Sequence, residues 1–235
     1  MSEQALSDIE RAAAWARMTT GGLLEQAAPV HTAGLLMSGL LHAMGTPLNV
    51  AMGRVRMVES ERLPLEERVA HASPALVQLR RMTELLHSTA ELLHAGPQPP
   101  RPISLISNLN ALLDRFGPLL GRRGGAITVQ PGDEVVAQCP VPTFERVMLS
   151  IVVARCRLWP GESVDITVLD GPPRVHFSPT SDVREITQVG DLFVISGKGS
   201  EAGAIAMALT SIHQTLSTWG GGLKISPDGW LAQLG

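Results

Sequence analysis

The chain has 235 residues, of which 44% are hydrophobic and 17% charged, and its formal net charge is −3. That length holds one large domain or two small ones, and the charge leaves no electrostatic footprint for nucleic acid. The two cysteines, Cys139 and Cys156, are too few and too far apart for a zinc site or a disulfide framework, and both sit among apolar residues as buried thiols would.

The N-terminus, Met1-Ser2-Glu3-Gln4, lacks the basic start and unbroken apolar core of a signal peptide. No stretch is read as approaching the roughly 20 apolar residues of a membrane span. A cytoplasmic protein without a membrane segment is the expectation. Residues 1–28 read as a short amphipathic helical segment, which Thr19-Thr20-Gly21-Gly22 interrupts.

Residues 29–96 read as a helical hairpin. Met37, Leu41, Met44, Leu48, Ala51, Val55 and Val58 recur at steps of four and three, the seam of a helix in a bundle. Pro47 removes one backbone donor and bends that helix. Glu59 to Glu66 form the turn. The second helix keeps a seam at Leu76, Leu79, Thr83, Leu86, Ala90 and Leu93, with an irregular start at Pro74. A lone hairpin leaves its apolar stripe half uncovered, so two copies are expected to pair as a homodimeric four-helix bundle.

Gly96-Pro97-Gln98-Pro99-Pro100-Arg101-Pro102 reads as a stiff linker. Residues 103–235 change character. Helices are expected over 105–121, 142–158 and 201–218, and short strands at 126–130, 135–139, 164–169, 174–178, 223–226 and 230–234. Strands interleaved with helices indicate an α/β sandwich with helices over one sheet face.

The chemistry concentrates in Leu40-Leu41-His42-Ala43-Met44-Gly45-Thr46-Pro47-Leu48-Asn49-Val50. His42 lies about 100° from the seam residue Leu41, at the edge of the apolar face, with Thr46 at i+4 and Asn49 at i+7 on one stripe. Gly45 and Gly53 leave room for another protein to approach. The other six histidines, His31, His71, His87, His94, His176 and His213, have no such surroundings. An imidazole suits phosphoryl transfer because one ring nitrogen attacks phosphorus while the other holds a proton.

This run resembles the phosphoacceptor box of two-component histidine kinases, His-Glu/Asp-x-x-Thr/Asn-Pro-Leu. The resemblance implies that His42 accepts the phosphoryl group and that Thr46 orients water for dephosphorylating a partner aspartate; for Thr46 a bond back to a helix carbonyl is the plain alternative. The acidic residue that assists loading from ATP is replaced by Ala43. Leu48, Asn49, Met52, Gly53 and Arg56, one to three turns below His42, would form part of the docking surface for a response-regulator receiver domain.

The second half resembles the kinases' ATP-binding domain in order and spacing more than in motifs. Phe144 to Arg155 is similar to the helix bearing the N-box, but its magnesium- and phosphate-holding asparagines fall at Ser150 and Ala154. Where Asp-x-Gly-x-Gly belongs stands Pro179-Thr180-Ser181-Asp182-Val183. Gly197-Lys198-Gly199-Ser200-Glu201-Ala202-Gly203-Ala204 is glycine-rich ahead of a helix and suits either phosphate or a plain loop. Trp219-Gly220-Gly221-Gly222-Leu223-Lys224-Ile225 is similar to the family's closing turn into a strand. The resemblance therefore implies a degenerate ATPase-like domain. It points to a histidine phosphotransferase of a phosphorelay, with no cofactor of its own and magnesium supplied by the receiver. Two rivals stay open: an active histidine kinase with a divergent ATP site, and a non-enzymatic dimeric pseudokinase scaffold.

Overall fold

The protein is described by a computed structural model over residues 33–120, 125–178 and 200–235, without Ser38, His42, Pro97 and Pro227, and without the side chains of residues 118, 119, 200–204 and 206. The expectation for residues 1–28 and the Pro179–Val183 run lie outside the described residues, as do His42 and positions 197–199 of the glycine-rich run.

Helix α1 covers Ala33–Glu59, and α2 covers Leu65–His94 with Pro74 inside it. They are joined by a turn in which Arg68 Nε donates to the Val58 carbonyl at 2.7 Å. Acidic Glu66 and Glu67 in the first turn of α2 suit the positive end of its dipole. Arg54 Nη1 donates to His71 Nδ1 at 2.8 Å, a second tie across the hairpin.

The seam expected on α2 lies on the outer side of the single chain. Ala75, Met82, Leu85, Thr89 and Leu92 are the buried residues, whereas Leu76, Leu79 and Leu86 are exposed. Two apolar rows run side by side along this helix; the periodicity of either one fits a bundle, and only packing selects which is inside. Helix α1 likewise has one face in the core and an exposed face bearing Met37, Leu41, Leu48, Met52 and Val55. With apolar residues on both faces, α1 is long and apolar enough by length and composition to cross a membrane, the one such helix among the described residues, where the sequence reading had found none.

After the linker, β1 (Arg101–Ser104) leads directly into α3 (Leu105–Leu120). Then come β2 (Ile127–Val129), β3 (Val136–Cys139), α4 (Val141–Leu158), β4 (Val164–Leu169) and β5 (Arg174–Phe177). Helix α5 (Ser200–Thr218) and the hairpin β6 (Gly222–Ser226) and β7 (Gly229–Gln233) close the chain. The main sheet has the order β2-β4-β5-β7-β6, and β1 pairs with β3 in a separate two-stranded sheet. Only β2 against β4 is parallel; the other pairs are antiparallel. Strand β1 begins inside the proline-rich stretch read as linker. Its Pro102 lies opposite Gln138 in a two-stranded sheet, where an edge position tolerates a residue with no N–H. The architecture is thus helical plus a mixed sheet.

Strand alternation orients the main sheet. Val164, Ile166, Val175, Phe177, Trp230 and Ala232 are buried on one face, while Asp165, Thr167, His176 and Leu231 between them are exposed or half-buried. The helices cover the buried face. Helix α4 is buried without a break from Val147 to Cys156, because α3, α5 and α2 all pack on it. Arg115 pairs with Glu145 at 2.5 Å to tie α3 to α4. The core does not stop at the linker: Leu35, Leu36, Leu40, Leu85 and Leu92 of the hairpin belong to the same cluster as Phe116, Phe144 and Trp230. Phe116 has 0% of its surface exposed, so Phe116→Ala is expected to cost about 3–5 kcal/mol, read as a shift in the midpoint of urea unfolding at an unchanged slope.

Candidate functional site

The site is built on α1. At about 100° per residue, Leu36, Leu40, Ala43, Met44 and Ala51 share one narrow face. Leu36 and Leu40 are buried in the main core, Ala43 and Met44 pack against it, and Ala51 is buried outside that cluster. Thr46, Asn49 and Gly53 fall on the far side and are exposed. A Cβ added at Gly45 or Gly53 meets nothing within 4 Å, so the helix backbone is open to approach at both. His42 itself lies outside the described residues. The helix runs on through Pro47, which is half-buried.

Three of the five expected docking residues share a groove. Leu48, Met52 and Arg56 line one shallow groove of about 270 Å³ with Ala51, Val55, Glu59 and, from α2, Leu79. Its floor is apolar, and Arg56 and Glu59 place one charge of each sign in it. Asn49 and Gly53 are on the same helix, exposed, and outside the groove's lining.

The other histidines that the structure describes are occupied locally. His71 accepts from Arg54, which has no lone pair to offer in return, and so presents Nδ1 unprotonated. His87 pairs with Glu91 at 3.1 Å, and His94 Nδ1 bonds the Ala90 carbonyl at 2.9 Å. His176 Nε2 bonds the Asp228 carbonyl at 2.9 Å. His213 Nδ1 stands 3.1 Å from both the N–H and the carbonyl of Leu223 at the edge of β6. Each holds a turn, an edge or a helix surface in place.

The positions that resemble the nucleotide-binding helix give little for a nucleotide. Ser150 and Ala154 on α4 are both fully buried, and the Ser150 hydroxyl has no partner among the described residues. Among the described residues no three His, Cys, Asp or Glu side chains cluster as metal ligands do. Beside them stands a residue that sequence reasoning passed over. Arg155 is 1% exposed, donates through Nη2 to the Ser178 carbonyl at the end of β5, and among the described residues has no partner for Nε and Nη1. Its guanidinium lies 5.2 Å from the Trp159 ring and 5.5 Å from the Trp230 ring, with the two indoles edge to face at 5.9 Å. Burial pushes its pKa down to about 10, against an opposing pull from Glu162. A cation on α4 two residues from the chain's next arginine reads in sequence as an ordinary basic helix end; only the closing of the sheet over it reveals it as buried.

No protein-family model matches the chain, and no curated protein matches it. Among solved structures it is similar to the Acinetobacter baumannii histidine kinase AdeS, at 12% identity over 82% of this chain and 96% of that one, with a TM-score of 0.38. It is similar to a bacterial phosphotransferase at 12% identity over 86% and 95%, with a TM-score of 0.46. A third likeness is to the ATP-binding domain of PrrB from Mycobacterium tuberculosis, at 11% identity over 58% and 97%, with a TM-score of 0.43. These are distant likenesses of fold, and the chemistry is argued from the chain's own residues.

The cysteines provide a direct check of the core. Burial raises both Cys139 and Cys156 to about 11 from an ordinary 9, and the thiolate is the reactive form. Both are expected to be silent to a thiol reagent at pH 8 in the native protein and to react fully in denaturant. Because the folded-state values are the higher ones, the stability they favour is present below pH 9 and declines as pH rises from 9 to 11, which urea titrations across that range would display.

Proposed function

We propose that the chain is a histidine phosphotransferase of a bacterial two-component phosphorelay, acting as a cytoplasmic homodimer. The observation that carries this reading is the box from Leu40 to Leu48, on a helix whose Thr46, Asn49 and Gly53 are open to solvent. One imidazole nitrogen of His42 attacks the phosphorus of a receiver's aspartyl phosphate. A P–N bond forms, the acyl P–O bond breaks, and the aspartate leaves as a carboxylate while the second ring nitrogen keeps its proton. In the return step a carboxylate of another receiver attacks phosphorus and the imidazole departs neutral. Magnesium belongs to the receiver's acidic pocket, so the chain contributes no metal or cofactor.

Ala43 supports transfer over autokinase activity, since it has no carboxylate to assist attack on ATP. Ser150 and Ala154, buried and lacking carboxamides, support it further. Leu48, Asn49, Met52, Gly53 and Arg56 would form part of the surface that docks the receiver. Thr46 would orient water for receiver dephosphorylation, a variant of the same reaction. The exposed row of Leu41, Leu48 and Val55 with Leu76, Leu79 and Leu86 is the surface a second copy would cover in a four-helix bundle.

The test supplies the purified chain first with magnesium and γ-labelled ATP, then with receiver domains carrying labelled aspartyl phosphate. We expect no acid-labile label from ATP, and label from at least one receiver on the wild type but not on His42→Gln. Label from ATP would make the chain a kinase; no transfer from any receiver would leave the scaffold reading. In light scattering after gel filtration, the wild type should run at twice the 25.0 kDa chain mass and Leu79→Glu at the chain mass. A monomeric wild type would refute the bundle.

A further inference from the structure

The first turns of the histidine helix enter the core of the α/β half. Leu35, Leu36 and Leu40 are 2%, 0% and 4% exposed and share the cluster that holds Phe144, Ile151 and Trp230. Beside them Arg157, in the last turn of α4, donates through Nη2 to the main-chain carbonyl of Leu35 at 2.6 Å. That carbonyl lies within a helix and uses its second lone pair to accept from a cation, among the stronger kinds of protein hydrogen bond. Leu35 precedes His42 by seven residues, about two turns.

A leucine face by itself tolerates rotation of a helix about its axis, because burial is non-directional. A hydrogen bond to one main-chain carbonyl does not, since it fixes both the depth and the azimuth of that residue. With Leu35 pinned, Leu36, Leu40, Ala43 and Met44 turn to the core, and Thr46, Asn49 and Gly53 turn outward.

We infer that Arg157 is a positioning residue, through which the α/β half sets the rotational phase of the helix that carries His42. The inference rests on the reading of His42 as the phosphoacceptor. It gives the α/β half a task that needs no nucleotide: it braces the histidine helix and keeps the docking stripe facing the receiver. The occupant of that stripe is the receiver already proposed; the new element is what orients it.

Amide hydrogen exchange on the full chain tests this. In Arg157→Ala the amides of residues 36–46 are expected to exchange about tenfold faster than in the wild type, with those of α4 and β5 unchanged, and Arg157→Lys should recover part of the protection. Leu36→Ala, which loosens the packing and leaves the hydrogen bond, should give a smaller change in the same segment. In the receiver assay at saturating phosphorylated receiver, Arg157→Ala should slow transfer about fivefold to tenfold, and Arg157→Lys should restore much of it. Exchange that is unchanged in α1, exchange that rises evenly across the chain, or faster exchange in α1 without slower transfer would each overturn the inference. Exchange is read with no phosphoryl donor present, so its outcome stands apart from whether His42 accepts phosphate at all.

Discussion

Helix α4 must be covered on every side, and the fold is the arrangement that does so. From Val147 to Cys156 no residue of it is solvent-exposed, and a helix apolar all round has no stable place at a surface. The main sheet covers one side, α3 and α5 flank it, and the hairpin closes the remainder with Leu85 and Leu92 from α2 and Leu35, Leu36 and Leu40 from α1. Each large side chain buried there contributes about 1.5–3 kcal/mol, so undocking the hairpin would expose several at once. The two halves of the chain therefore share one core, although a proline-rich stretch separates them in sequence.

Within that core sits a cation. Buried arginines ordinarily meet a carboxylate; Arg155 instead has the Ser178 carbonyl and two indole faces. The indoles offer their negative faces to the guanidinium, which recovers part of the hydration it has lost. This also joins α4 to the end of β5 and to β7 through one side chain. Arg157, two residues on, points to the hairpin, so the last turn of α4 ties the sheet to one side and the histidine helix to the other.

The exposed surface of the hairpin divides by helical phase. One row, with Leu41, Leu48 and Val55, is apolar enough to invite another copy of the chain. The next, with Thr46, Asn49 and Gly53, is polar and short-chained, suited to a partner that must come close and leave again. The groove containing Leu48, Met52 and Arg56 lies along the apolar row, with Val55 and Leu79 also in its wall. A docking partner and a second copy would thus be neighbours on α1, meeting at Leu48.

Much of this was legible in the residues themselves. Element type along the chain followed from period and punctuation: alternation in Val164–Leu169 and Arg174–Phe177, the turn at Asp170-Gly171, and the long helical seams on either side of residues 60–64. The histidine box could be read the same way, because its meaning lies in local spacing on one helix. Periodicity, however, reports only that a face is apolar, not what covers it, and α2 has two such faces a residue apart. Strand pairing was equally hidden: β2 and β3 are neighbours in sequence, yet one runs parallel to β4 and the other pairs with β1, a strand concealed in a proline-rich stretch. Sequence by itself determined the elements and the spacing of the histidine box along one helix, since both depend on neighbours within a few residues. Tertiary structure alone decided which seam is inside, that Arg155 is buried, and that Arg157 grips Leu35, since these depend on contacts between residues as many as 122 apart in the chain.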